Sequence, residues 1–315
     1  FRALWPRFVA TALVALQPKL GFLAGVINAD SLLIMVSTGF LLAAVRLVRR
    51  GPSVGRVVAL SAFAAAGPAT HGRGFALLPA ALFVLALVAV RTRPRPRELL
   101  RLGAIAAGVV LAGVALAYLW TRGHNQGSGG AFGGELAQGT GQAFNVKQFL
   151  SYVFQFYFGP FSFLTPLGPP HGYRQVYIDT YFGDFAALEV TYRTIIYDLL
   201  QIGAGAGLLL FAMTFGARLR AVAAQWALWA TAAATFISLL AVLHVSAYRD
   251  LQKGGDPLIT GRYLLPCVAL YGLAVAWVAG SLPRRVGTAL ASAVLGAFVL
   301  LAVGGIGLEA ARFYG

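Results

Sequence analysis

Charge is scarce along this chain: of 315 residues only 11% are Asp, Glu, Lys or Arg, while 59% are hydrophobic. Soluble domains carry about 25% charged residues, so this little charge cannot cover a water-exposed surface of such size. Acid is scarcer still, with ten Asp and Glu against 25 Lys and Arg. Cysteine is nearly absent. The single Cys267 excludes an internal disulfide, and no Cys/His cluster has zinc spacing. The Gly-rich run at 123–141 has no GK[ST] and no strand before it, so it is not a phosphate-binding P-loop. A G-x-S-x-G nucleophile elbow is missing too.

What the chain has is apolar length. Hydrophobic runs of about 20 residues, enough to cross a bilayer as helix, recur from end to end. Backbone amides in lipid must be satisfied internally, and the runs lack the period-2 alternation of a barrel. The expectation is an all-α polytopic integral membrane protein with nine spans: 8–27, 30–48, 54–70, 75–91, 100–120, 193–215, 221–245, 261–281 and 286–308. Five spans fill 1–120, four fill 193–315, and 121–192 is one long loop.

The connections fall on alternate sides. One side collects Arg2, Arg7, Arg46, Arg49, Arg50, Arg56, Arg91, Arg93, Arg95, Arg97, Arg101, Arg218, Arg220, Arg284 and Arg285, with Glu98 as its one acid. The other side takes the remaining acids: Asp30, Glu135, Asp179, Asp184, Glu189, Asp198, Asp250, Asp256 and Glu309. Positive loops stay in the cytoplasm. The acids and the long loop are therefore expected outside, and the high pI encodes orientation. Anionic lipid headgroups are the expected partners of the arginines, not nucleic acid. Phe rather than Met stands at position 1 and the first apolar run begins at once, so an N-terminal part is expected to be missing.

Four outer segments carry the candidate chemistry. In QPKLGFLAGVINADSLL, Asp30 or Asn28 either caps the second span or binds a metal, a hydroxyl or a cation at the membrane edge. Lys19, in the last turns of the first span, either snorkels to headgroups or meets a lipid phosphate. In ATHGRGFALLP, His71 and Arg73 are either exposed turn residues or an anion clamp, since Arg offers a planar fork to phosphate oxygens. The long loop opens with a Gly-rich stretch, 123–141, expected to be mobile. An aromatic stretch, 149–163, then reads as an interfacial or re-entrant helix. After it come His171, Arg174, Asp179, Asp184, Glu189 and Arg193 among tyrosines, which form either a sugar-stacking surface or an interfacial aromatic belt. The last corner, YRDLQKGGDPLITGRYLLP, sets Arg262 at the outer boundary just before Tyr263. There Arg262 either snorkels, pairs with Asp256, or binds an anion.

PLITGRYLLP (257–266) resembles the "GRYxLP" signature of a bacterial membrane family, domain-of-unknown-function family 2142, grouped by resemblance with the GT-C glycosyltransferases. Three segments agree with it in order: PKLGFLAGVINADSLL (18–33), ATHGRGFALLP (69–79) and YFGDFAALE (181–189). The chain departs from the pattern where His71 replaces a usual lysine, with Arg73 two residues on. The family's first span and first outer loop, which in GT-C enzymes usually bears the catalytic acid, are expected to be among the missing N-terminal part. The resemblance implies transfer of a sugar from a polyprenyl-phosphate donor to a glycan or lipid acceptor, outside a bacterial plasma membrane. It implies phosphate or donor binding by Arg262, Arg73, His71, Lys19, Arg174 and Tyr263, and acceptor or base roles for Asp30, Asp179 and Asp184. The aromatic stretch 149–163 would guide the lipid tail, and a divalent metal stays open. The rivals are a polysaccharide polymerase or ligase resting on Arg174 and His171, and a lipid-linked sugar flippase. A flippase expects charges deep in the spans, whereas these crowd at the span ends.

Overall fold

The computed structural model describes residues 4–25, 29–124, 143–159, 173–185, 189–252 and 260–314. The described chain is helical, with one isolated antiparallel bridge between Phe185 and Val190. Among the described residues, seven helical stretches are long and apolar enough to cross a membrane: Ala29–Arg50, Gly72–Thr92, Pro96–Trp120, Thr194–Ala217, Trp226–Gln252, Gly261–Ser281 and Arg284–Tyr314. Two of the expected spans come out differently. The first is broken into α1 (Leu4–Ala15) and α2 (Pro18–Ala24), bent by 58°. Another, α4 (Val54–Thr70), has 17 residues and is short for a bilayer.

The break has a local cause. Gln17 leaves helical geometry at ψ 116°, its side-chain oxygen caps the new helix by accepting from Leu20 N–H, and Pro18 fills the first turn, where no amide donor is needed. The polar triplet Gln17-Pro18-Lys19 interrupts the apolar run at this point, and the capping chemistry turns that interruption into a break.

The chain divides into two compact units. The first comprises 1–31, 171–224 and 259–315. In it α1 packs on α11 (Val268–Ser281), because Gly272 lets the helices approach until an added Cβ would lie 2.5 Å from Ala10 O. α11 and α12 (Arg284–Tyr314) pack through Gly287 in the same way, its imagined Cβ 2.0 Å from Ala279 O. Small residues at contacts are how helices associate where lipid removes the hydrophobic drive. α8 (Thr194–Ala217) is the opposite case. Only 6% of its apolar window is buried, and Ile202, Leu208 and Leu209 face outward. In water such a surface would be an extreme exposed patch, and against acyl chains it is stable. The short α9 (Leu219–Ala224) follows it.

The second unit comprises 32–170 and 225–258. Its core is built from α3 (Ala29–Arg50, which starts in the first unit), α4, α5 (Leu77–Thr92), α6 (Pro96–His124) and α10 (Trp226–Gln252). Phe40, Leu47, Leu60, Ala64, Ala80 and Val84 are its sealed centre. Gly67 and Gly74 fold α4 back on the 3-10 turn Gly72–Ala76, so closely that a Cβ on Gly74 would lie 2.1 Å from Gly67 O. Within the expected aromatic stretch 149–163, residues up to Phe158 belong to a helix, α7 (Val146–Phe158), and 160–163 lie outside the described residues. Asn145 caps α7 by accepting from Gln148 N–H at 3.1 Å, and Gly159 ends it at φ +82°.

Candidate functional site

The first unit gathers charged side chains from four separated segments. Its frame is a corner in which the π turn Gln175–Asp179 and the short turn Thr180–Phe182 meet the 3-10 helix Gly261–Cys267. Thr180 Oγ1 donates back to Gln175 O (2.8 Å) and accepts from Gly261 N–H (2.5 Å). A Cβ on Gly261 would sit 2.3 Å from Val176 O and 2.4 Å from Tyr181 N, so only glycine permits this contact. Gln17, fully buried, donates its amide to Tyr181 O at 2.6 Å and so ties α2 to the same corner.

Two cations enter from opposite sides of the sequence. Lys19, buried in α2, donates to the backbone carbonyl of Asp184, with the rings of Phe22 and Phe185 at 5.4 and 5.7 Å. Arg262 follows Gly261. Its Nε lies 3.5 Å from Asp30 Oδ2, its Nη2 donates to Tyr263 OH at 3.2 Å, and its guanidinium covers the Tyr263 ring. The Asp30 side chain is 7% exposed and that of Arg262 35% exposed, so the arginine keeps a face toward solvent or ligand. Asp30 stands in the first turn of α3, where an acid favours the dipole. Its place at the positive end of the helix and its pairing with Arg262 are therefore compatible. Glu309 of α12 lies within the electrostatic reach of Lys19, as do Asp30, Asp184 and Arg262.

Asp184 is the unusual member. Its φ is +56°, a left-handed conformation that Asp and Asn adopt more readily than most residues but still at a cost. Such outliers persist where the surroundings over-determine them, and these do. The neighbouring Gly183 has no room for a Cβ, which would meet Tyr197 OH at 2.4 Å. Phe185 pairs with Val190 through N–H···O bonds of 2.8 and 3.2 Å. Tyr197 OH donates to Asp184 Oδ1 at 3.3 Å and accepts from Tyr192 N–H at 3.1 Å, while Tyr192 OH donates to Leu301 O. Burial pushes the Asp184 carboxyl above the ordinary carboxylate range, and the bond from Tyr197 and the charge of Lys19 partly offset this. Asp179 is also raised by burial, with Arg174 opposing.

Of the residues singled out in the sequence, Lys19, Asp30, Asp184, Arg262 and Tyr263 thus come together. Arg174 and Asp179 form their own group in the same unit. Arg174 reaches Asp198 at 2.6 Å and Asp179 at 3.7 Å, at an exposed surface where solvent screening leaves such pairs little net effect on stability. Glu189 meets Arg312 at 3.4 Å, also exposed. His71 and Arg73 belong to the second unit. His71 Nδ1 accepts from Arg73 N–H at 3.1 Å and caps the 3-10 turn, a structural role. A neutral ring accepting at Nδ1 carries its proton on Nε2, so the 3.5 Å approach of Arg73 Nη1 to Nε2 is a contact and not a hydrogen bond. Asn28, His171 and Asp256 lie outside the described residues. Among the described residues no group of three or more His, Cys, Asp or Glu could hold a metal ion.

Gln17, Thr180 and Tyr197 did not stand out in the sequence, and Tyr192 counted there only as one of the aromatics of the long loop. The one available signal was Gln-Pro inside an apolar run, a cap-and-start pair. In the second unit His244, buried in α10, bonds the hydroxyls of Tyr152 through Nδ1 (3.2 Å) and Tyr157 through Nε2 (3.0 Å), both from α7, with one ring nitrogen donating and the other accepting. A lone histidine within LLAVLHVSAY gave no hint of two tyrosine partners from a helix some 90 residues away.

Fold and site together define a multi-pass α-helical membrane protein with a buried cluster of opposite charges at helix ends. Compared with known proteins, the chain matches no family model, no curated protein and no solved structure.

Proposed function

We infer that this chain is a GT-C-like glycosyltransferase of a bacterial plasma membrane, moving a sugar from a polyprenyl-phosphate donor to an acceptor on the extracytoplasmic side. Nine crossings result if α1–α2 and α4 each count as one. The observation that carries the reading is the meeting of Arg262, Lys19, Asp30 and Asp184 from four separated segments at helix ends. Those are the termini that the charge asymmetry assigns to the outer leaflet. A lipid-linked donor keeps its tail in the bilayer and presents its phosphate at that depth. The Gly/Arg/Tyr corner and the Asp30 segment also carry the resemblance to the family.

In this reading the acceptor hydroxyl oxygen attacks the anomeric carbon, the bond from that carbon to the phosphate oxygen breaks, and the phosphate leaves with the bonding electrons. Arg262 stabilises the charge growing on that oxygen. The phosphate takes the place of Asp30 on the guanidinium, which its 3.5 Å separation and its exposed face allow. Lys19, already spent on a carbonyl, adds field more than contact. Asp184 receives the acceptor's proton, a role helped by a carboxyl held above its ordinary range. The test is an in vitro transfer assay with defined polyprenyl-phospho-sugars on the reconstituted protein. Arg262→Ala is expected to lose roughly 100-fold or more in kcat/KM, as removal of one oxyanion donor does. Equal activity in the variant removes the site.

A flippase for lipid-linked sugars is the second reading, favoured by one feature. The α1–α2 break carries the buried Lys19, and discontinuous helices line substrate sites in transporters. Absence of transfer with every donor, together with donor movement across proteoliposomes, would select it.

A further inference from the structure

Asp184 has two carboxylate oxygens, and the structure treats them differently. Tyr197 has a single hydroxyl proton. Because Tyr192 N–H already donates to the Tyr197 oxygen at 3.1 Å, that proton is free to point away, and the acceptor in reach is Asp184 Oδ1 at 3.3 Å. An oxygen that receives a hydrogen bond is held as an acceptor. The other oxygen is left to take a proton. The backbone at this point is held in place by the left-handed turn at Asp184, the cramped Gly183 and the Phe185–Val190 bridge.

We propose that Tyr197 is a positioning residue that fixes Asp184, assigning Oδ1 to the hydroxyl and Oδ2 to proton exchange. The catalytic meaning of this rests on the transferase reading, but the link between Tyr197 and Asp184 does not. Among the described residues, the charged and titratable groups around Asp184 are Lys19 of α2, Asp179 of the π turn, and Tyr197 of α8 with Tyr192 before it. Glu309 of α12 acts through Lys19. Of these, Tyr197 alone gives the carboxylate a hydrogen bond from a side chain. Losing it removes a stabiliser of the ionised form, so the carboxyl of Tyr197→Phe ionises at higher pH than in wild type.

Infrared spectra of the carboxylic-acid carbonyl stretch, taken across pH on protein in lipid nanodiscs, read this without any activity. Asp184→Asn identifies the band by deleting it. In Tyr197→Phe the band should persist to higher pH than in wild type. Tyr192→Phe removes the bond to Leu301 O in the same cluster without touching Asp184, and should lower thermal stability while leaving the band in place. A Tyr197→Phe that loses stability but titrates like wild type makes Tyr197 a packing residue and overturns the proposal. In the transfer assay, Asp184→Asn should cost roughly 100-fold or more at all pH. Tyr197→Phe should instead move the acid limb of the kcat/KM profile upward and recover at higher pH. If no donor supports transfer, the transferase reading falls, and the infrared comparison still decides whether Tyr197 governs Asp184.

Discussion

Gly261→Ala is the sharpest probe of how the site is built, because it leaves every charged group in place. Its Cβ would lie 2.3 Å from Val176 O, 2.4 Å from Tyr181 N and 2.5 Å from Tyr181 Cα. All three are backbone atoms, so no side chain can swing away. The 3-10 helix that carries Arg262 must then separate from the corner, and Gly261 N–H loses Thr180 Oγ1. Forced overpacking costs about 1–3 kcal/mol, and an orphaned buried donor about 1–3 kcal/mol more. The usual gain from replacing glycine by alanine, about 0.4–1 kcal/mol, offsets only part of this, so the net is a loss of roughly 1–5 kcal/mol. At about 2–4 °C per kcal/mol for chains of a few hundred residues, Tm in detergent or nanodiscs should fall by roughly 2–20 °C. Gly203→Ala is the control, since nothing lies within 4 Å of its added Cβ, and it should leave Tm unchanged or slightly raised. A Gly261→Ala protein as stable as this control would refute the close backbone contact, and with it the account of how Arg262 is delivered.

Two further outcomes follow from the same packing. His244→Phe leaves the hydroxyls of Tyr152 and Tyr157 without their imidazole partner. It should cost about 1–3 kcal/mol for the buried Tyr152 hydroxyl and make α7 more sensitive to limited proteolysis, and unchanged cleavage would show that the histidine does not hold that helix. Asp184 and Asp179 both have carboxyls raised by burial, so the folded state binds their protons more tightly than the unfolded chain does. Their contribution to stability is therefore fully present below the ordinary carboxylate value and is lost as pH rises through the raised one. Asp184→Asn should flatten that decline in pH-dependent unfolding, and parallel curves for variant and wild type would contradict it.

The sequence by itself determined the class of this protein. Apolar runs too long and too uncharged for water force helices through lipid, and such runs are local properties that survive any tertiary arrangement. It also marked Lys19, Asp30, Asp184 and Arg262, because charges are so few that each one at a span end stands out. It did not tell the cap at Gln17 from a continuous span, since hydropathy averages over the hydrogen bonds that start a helix. Partner choice was decided by the tertiary structure alone. Arg262 lies beside Asp30, more than 200 residues earlier, and Lys19 meets a carbonyl of Asp184, 165 residues later. Such pairings depend on Gly261 letting two backbones touch, on Gly183 leaving room for the rings of Tyr192 and Tyr197, and on tyrosines whose neighbours in sequence say nothing of their neighbours in space. Burial, which raises the Asp184 carboxyl, exists only after those contacts form.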